Sequence, residues 1–331
     1  MTQINDAVGV VIPMFNAEAT IGATLASVSR QTYQALDIIV VDDGSTDRSP
    51  SIVAAYAAKD RRIRLLRQAN SGVAAARNFG AASTCATFLA FIDADDLWAP
   101  AKIARQMQAL HNGGPSVGLV YCWPAHVDED GRVTSLHHRP TAEGHVLRDM
   151  CRSNFVGNGS SMLLRRSAYD LAGHFDASLR ARRAQGCEDL LMCFRIAENF
   201  EFRVVPQFLV GYRLTNNNMS SDVMQMLRSC DIVLTEFRQK YPQFATELDA
   251  HLIDMAQWLA VRALICGQLS AAWAMMKVIF VLEPRLAVYR LPEMLELYCR
   301  ARLVPPWVKA RIRRLMSKSA EFRPPYAETS W

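Results

Sequence analysis

Over the first 125 residues, short apolar runs alternate with helical stretches, and this rhythm constrains the fold more than any other feature of the chain. The runs cover 8–12, 36–41, 63–66, 87–92 and 117–122, and the helical stretches cover 17–30, 47–58, 72–82 and 99–110. Runs of four to six Val, Ile, Leu and Phe residues without polar alternation are strands buried on both faces. Strands separated by helices predict βαβ units and a doubly wound, mostly parallel sheet. In such a sheet, ligands bind beyond the carboxyl ends of the strands. Thr46 or Asp47, and Ser71 before Gly72, are the expected helix N-caps.

The run 87–92 ends in Asp93-Ala94-Asp95-Asp96. If the backbone stays extended there, Asp93 and Asp95 point the same way. Two convergent carboxylates suit a hard divalent cation, Mg²⁺ or Mn²⁺, and such a cation can hold a diphosphate. The competing reading is that these acids only cap the helix that follows.

Half of the 331 residues are apolar and 21% are charged, which is ordinary globular composition. The eight cysteines form no CxxC pair and sit mostly in apolar surroundings, so buried reduced thiols in a cytoplasmic protein are expected. The N-terminus lacks a basic stretch followed by an apolar core, which predicts no signal peptide. No run of eighteen apolar residues predicts a membrane span. The net charge is +5, and residues 281–331 carry ten Lys or Arg against five Asp or Glu, so residues 1–280 are close to neutral. That distribution argues against a nucleic-acid partner, which needs a basic main face. It suits an anionic membrane surface reached by the tail.

Residues 123–160 read as loops and a hairpin, 161–165 as a further strand, 188–199 as a helix, and 202–205 and 208–212 as two short strands. From 222 the pattern is long and helical. The expected organisation is an α/β domain over 1–220 and a helical region over 221–331.

Four motifs stand in order along the α/β part. They are Val10-Val11-Ile12-Pro13-Met14-Phe15-Asn16; Val40-Val41-Asp42-Asp43-Gly44-Ser45-Thr46-Asp47; Asn70-Ser71-Gly72-Val73-Ala74-Ala75-Ala76-Arg77-Asn78; and the 93–96 acids followed by Leu97-Trp98. Further on come Asn158-Gly159-Ser160-Ser161, Gly173-His174-Phe175-Asp176 and Cys187-Glu188-Asp189-Leu190. Together they resemble family 2 inverting glycosyltransferases, of bacterial exopolysaccharide or lipopolysaccharide type, over roughly residues 7–215. The resemblance implies a GT-A nucleotide-diphospho-sugar transferase fold and a nucleotide-sugar donor, with uridine favoured.

By that resemblance Pro13, Phe15, Asn16, Asp42, Asp43, Arg77, Asp93 and Ala94 bind the donor, with Asp42 or Asp43 accepting the N3–H of the base. Asp95, with Asp93, ligates Mn²⁺ or Mg²⁺. Asp189 is the general base and Glu188 binds the acceptor, a glycan or polyprenyl-linked glycan. Competing structural readings stay open. Asp42 or Asp43 orders the Gly44-Ser45 turn, Arg77 pairs internally with Asp42 or Asp93, and Glu188 and Asp189 complement a helix dipole. Trp98 either stacks on an acceptor sugar or anchors the next helix. His126, His137, His138 and His145 lack metal-ligand spacing.

The chain departs from the family at Thr215, where many relatives carry a histidine that completes the metal shell. Residues 303–316 mix Trp307, Ile312 and Leu315 with Lys309, Arg311, Arg313 and Arg314, the pattern of an interfacial helix. A dinucleotide oxidoreductase is disfavoured because Pro13-Met14-Phe15-Asn16 stands where GxGxxG belongs. A nucleotidyltransferase lacks its Gly-rich basic first loop. A non-catalytic nucleotide-sugar-binding or scaffold protein of the same fold is the remaining rival.

Overall fold

A computed structural model describes residues 6–136, 139–214 and 219–288, together with Pro292. The first half runs β1 (Val8–Met14), α1 (Ile21–Ser29), β2 (Leu36–Asp42), α2 (Ser49–Ala57), β3 (Ile63–Arg67), α3 (Val73–Ala82) and β4 (Phe88–Phe91). β1 pairs in parallel with β2 and β4, and β2 with β3. The pleat explains why these runs lack polar alternation. Val8, Val10, Ile12 and Met14 enter one core while Val11 enters the other. Leu36, Ile38 and Val40 part from Ile39 and Val41 in the same way. α3 lies so close to β1 that a Cβ on Gly80 would meet Val11 at 2.4 Å.

The second half is mixed. It comprises β5 (Leu97–Trp98), α4 (Lys102–Gly113), β6 (Val117–Val127), β7 (Val133–Ser135), α5 (Leu147–Arg152), β8 (Met162–Arg165), α6 (Arg166–Leu171), α7 (Ser178–Ala181), α8 (Glu188–Ala197) and β9 (Glu201–Arg213). β8 is antiparallel to both β4 and β6, β9 is parallel to β6, and β5 is antiparallel to β9. The sheet order is β3-β2-β1-β4-β8-β6-β9-β5, with β7 on β6.

The expected hairpin in 123–160 is β6 returning as β7. The two short strands read at 202–205 and 208–212 are one strand, β9, which carries Pro206 within it. Register shifts against β6 around Cys122, Trp123 and Pro124 accommodate that proline, which has no N–H for the ladder.

α9 (Val223–Lys240), α10 (Ala245–Ile265) and α11 (Leu269–Leu282) complete the described chain. Their buried residues, among them Cys230, Phe237, Leu259 and Met275, share one core with Leu164 and Phe202 of the sheet and Phe194 of α8. Packing is therefore continuous across residue 220. Five cysteines (122, 151, 187, 193 and 230) are buried free thiols, while Cys85 is exposed. No described helix is long and apolar enough to cross a membrane. Thr215, His137, His138 and the basic segment 303–316 lie outside the described residues.

Candidate active site

The first two strand-end loops are stapled together. Asn16 takes a left-handed φ of 48°. Its N–H donates to Ser45 Oγ (3.0 Å), and its Oδ1 accepts from Thr46 N (2.8 Å). Ala17 N donates to Ser49 Oγ and Glu18 N to Asp47 Oδ2. The Asn16 amide oxygen is thus occupied by the chain itself. Pro13, expected at the donor, is buried inside β1. Phe15 stands half-exposed at the loop tip.

Asp42 and Asp43 are both buried at the end of β2. Asp42 Oδ1 accepts from Ser45 N (2.9 Å) and closes the Gly44 turn, and Oδ2 lies 3.6 Å from Arg67 Nε. Asp43 accepts from Gln68 Nε2 (2.7 Å), Ser71 N (2.7 Å) and Gly72 N (2.8 Å). The expected N-cap at Ser71 is therefore corrected, because its hydroxyl donates to Ala69 O. Asp43 receives the N–H groups leading into α3 instead. The N-cap of α2 is Arg48, which corrects the cap expected at Thr46 or Asp47, and Asp47 accepts from Ser49 N and Oγ just before the helix.

β4 stops at Phe91, and Asp96 N donates to Asp93 O (3.0 Å), so the acids sit in a turn and not on an extended strand. That corrects the extended arrangement expected for Asp93 and Asp95, although the two remain electrostatically close. Ala94 is nearly buried, its carbonyl taken by Thr24 Oγ1 (3.0 Å). Burial, and then the Asp93 anion, push the Asp95 carboxyl up to about 6.

Arg77 projects from α3 and is 4% exposed. It bonds Asp93 Oδ1 at 2.7 Å and lies over the Phe175 ring. Burial works to lower its pKa, but Asp93, Asp189 and Glu188 override this and hold it above its ordinary value. The internal Arg77–Asp93 pair is real, and a Cβ on Gly159 would come within 3.0 Å of the guanidinium. Beside Arg77, Asn78 fixes the Phe175 segment through Phe175 N and O and Tyr169 Oη.

Asp189 and Glu188 open α8. Asp189 is half-buried, and Oδ1 accepts from Leu190 N (2.8 Å). Burial raises its pKa, Arg77 opposes that rise and Asp93 adds to it. Glu188 is buried, is raised by burial, and accepts from Gly186 N (2.8 Å). It braces the turn into α8, where direct contact with an acceptor had been expected.

Two groups essential to this geometry carry no obvious chemical signal in the sequence. Ser160 Oγ accepts from Asp93 N (3.0 Å) and donates to the fully buried Asp96 Oδ2 (2.6 Å). Asp96 Oδ1 in turn accepts from Arg213 N (3.0 Å), while Arg213 Nε donates to Asp95 O (2.8 Å). The buried Asp96, raised first by desolvation and then by Asp95 and Asp93, knots the turn to the end of β9. The 93–96 acids and the Asn158-Gly159-Ser160-Ser161 motif marked two sides of this knot in the sequence, but not their contact.

Trp98 is 3% exposed. Its Nε1 donates to Ser160 O (2.9 Å), and Lys102 Nζ sits 4.0 Å from the ring centroid. It is an anchor, which corrects the acceptor-stacking role. His126 bonds Ser135 Oγ within the hairpin and His145 is exposed, so neither joins the site.

Among the described residues, no three His, Cys, Asp or Glu side chains gather closely enough to enclose a cation. A cation held by one or two carboxylates plus substrate phosphate oxygens needs no such cage. Asp93 and Asp95 fit that mode: both offer hard oxygens, and Asp95 lies in an anionic field that a cation would relieve.

Residues 9–172 match the glycosyl transferase family 2 domain. The chain is 27% identical over 268 residues to the putative glycosyltransferase EpsH of Bacillus subtilis, covering 78% of this chain and 76% of EpsH. Identity reaches 41% over 98 residues with EpsJ of the same organism, an uncharacterized glycosyltransferase, which is 30% of this chain but only 28% of EpsJ. Among solved structures, Staphylococcus aureus TarS 1–349 in complex with UDP-GlcNAc superposes with a TM-score of 0.60 at 14% identity, over 93% of this chain and 92% of that one. The mannosyltransferase PcManGT of Pyrobaculum calidifontis, in complex with GDP-Man and Mn²⁺, gives 0.57 at 21% identity, over 94% and 88%. At these identities the structures establish the fold alone, and that fold is GT-A. With the family domain laid over the strand-end acids and Arg77, the chain belongs to glycosyl transferase family 2 and is a glycosyltransferase.

Proposed function

We propose that the protein is an inverting, metal-dependent transferase. In this reading it moves a sugar from a nucleoside diphosphate, with uridine favoured, to a hydroxyl of a glycan or lipid-linked glycan in surface-polysaccharide assembly. The observation that carries the reading is the convergence on Arg77. Its buried guanidinium bonds Asp93 and feels the charge of Asp189 and Glu188, so a donor-side acid and the candidate base act on one buried cation. The donor complexes of TarS (UDP-GlcNAc) and PcManGT (GDP-Man) support a nucleoside diphosphate sugar as donor.

Asp189 accepts the acceptor hydroxyl's proton as that oxygen bonds the anomeric carbon. The bond from that carbon to the diphosphate breaks, and the nucleoside diphosphate departs with the electron pair. One displacement inverts the centre and needs one carboxylate, whereas glycosidases use two. Mg²⁺ or Mn²⁺ on Asp95 and Asp93 would neutralise charge on the departing diphosphate. Arg77 holds Asp93 in place, and Asp42 and Asp43 order the floor on which the base and ribose rest.

The test is release of nucleoside diphosphate from a panel of nucleotide sugars with Mn²⁺, Mg²⁺ or EDTA. Metal-dependent release from one donor, lost in Asp95→Ala, is the expected result. No release and no calorimetric nucleotide binding would instead identify a non-catalytic protein of this fold.

A further inference from the structure

α11 is apolar on two sides. Its inner side, Ala271, Ala272, Met275, Met276 and Ile279, is buried. Its outer side carries Leu269 (39% exposed), Trp273 (59%), Phe280 (56%) and Val281 (78%), and Val288 (64%) follows. At 3.6 residues per turn, positions 269, 273, 277, 280 and 281 form one stripe about 120° wide. A helix apolar all round belongs in a core or against lipid, yet this side faces outward. Elsewhere among the described residues the large exposed apolar residues, such as Phe79 and Leu171, are scattered along the sequence. Contiguous apolar surface of this kind marks an interaction site.

The composition and charge of the surroundings select the partner. Trp and Phe favour the membrane–water boundary. Lys277 lies within the stripe, where its stem can lie along the apolar surface with the ammonium toward headgroups. Arg285 is exposed just beyond, with Glu283 the one exposed acid between them. From 289 the chain continues with nine Lys or Arg against four Asp or Glu. α11 has 14 residues and spans about 21 Å, too short for a bilayer core of about 30 Å, so it would lie in the interface plane.

We infer that the outer face of α11 docks the protein on an anionic lipid surface, with Trp273, Phe280 and Val281 entering the headgroup boundary. A shallow apolar face and a basic segment supply the two signals that stable peripheral binding requires. The inference stands apart from the sugar-transfer reading. It places the catalytic domain where lipid-linked acceptors reside, but needs no activity to be tested.

The experiment is co-sedimentation of the full chain with phosphatidylglycerol/phosphatidylcholine vesicles and with pure phosphatidylcholine vesicles. Bromolipid quenching of tryptophan serves as a depth probe, and light scattering reports oligomeric state. Wild type should bind the anionic vesicles, lose binding as salt rises, and show quenching. Trp273→Ser/Phe280→Ser/Val281→Ser should bind about tenfold more weakly with its thermal midpoint kept. Lys277→Glu/Arg285→Glu, which leaves the apolar stripe intact, should weaken anionic binding alone. No vesicle binding by wild type would overturn the inference, as would equal binding by the triple variant. A wild-type dimer that the triple variant abolishes, without lipid binding, would assign the face to a second copy instead. None of these results depends on sugar transfer, so failure of one reading leaves the other standing.

Discussion

The two halves of the sheet build their parts of the site by different means. In the parallel half, β1, β2 and β3 end side by side, and main-chain N–H groups from nearby loops satisfy the acids there. Asp42 serves the Gly44 turn and Asp43 the entry to α3. In the mixed half, segments far apart in sequence meet on buried side chains. Asp96 alone receives Ser160 Oγ and Arg213 N, and Ser160 also holds Asp93 N. Backbone geometry positions the first set, and side-chain chemistry positions the second. Single side-chain changes should therefore act more strongly in the mixed half.

The largest expected effect is Asp189→Asn. With Asp189 as the proposed proton acceptor, the substitution should reduce turnover by about 10²–10⁴-fold and leave metal-dependent nucleotide binding unchanged. Single-turnover transfer and calorimetry read the two quantities separately. Because burial raises the Asp189 pKa, the wild-type rate should fall as pH drops through a value above the ordinary aspartate range. The variant should lack that limb. Wild-type turnover in Asp189→Asn would move the base elsewhere.

Next comes Ser160→Ala, which removes an acceptor from Asp93 N–H and a donor from Asp96 at once. Loss of such a supporting bond commonly costs about 10–100-fold in metal affinity. The expected readout is a higher Mn²⁺ concentration for half-maximal nucleotide binding, with Ser160→Thr restoring it. If Ser160→Ala lowers only the thermal midpoint, the two halves differ less than their hydrogen bonds indicate.

What the sequence made legible follows the same division. Continuous apolar runs and acids at strand ends are local signals, so β1–β4 and the positions of Asp42, Asp43 and Asp93 could be read directly. The turn at Asp93 could not, because it depends on Ser160 and Arg213, residues that meet it only after β8 and β9 are in place. Trp98 illustrates the limit. An aromatic beside acids reads equally as a sugar platform or an anchor until Lys102 and Ser160 are seen against it. Pro206 broke a strand pattern that extra residues in β9, taken up as register shifts against β6, repair.

Outside the site, His251 offers a sharper test of what burial alone does. It stacks on Phe194, Nδ1 donates to Met150 O (2.9 Å), and Nε2 is buried without a partner. Desolvation lowers its pKa to about 4. Between the unfolded value of about 6.5 and that folded value, the unfolded chain binds the extra proton. Stability should then fall by about 3 kcal/mol as pH drops through this window. Urea unfolding across pH 7 to 4 should show the slope, and His251→Leu should flatten it. Nucleotide binding at neutral pH should stay unchanged.

The smallest expected effect is the most discriminating for the mixed half. Trp98→Phe keeps a ring under Lys102 but removes the Nε1 bond to Ser160 O, a loss of about 1 kcal/mol in stability. Because Ser160 Oγ, not its carbonyl, holds Asp93 and Asp96, metal-dependent donor binding should change little. An indole that stacked on acceptor sugar would instead raise the acceptor KM at constant stability. Thermal unfolding together with acceptor titration separates the two. A KM effect without a stability effect would mean that the Trp98 ring becomes accessible when acceptor binds, and that the mixed half rearranges where the parallel half does not.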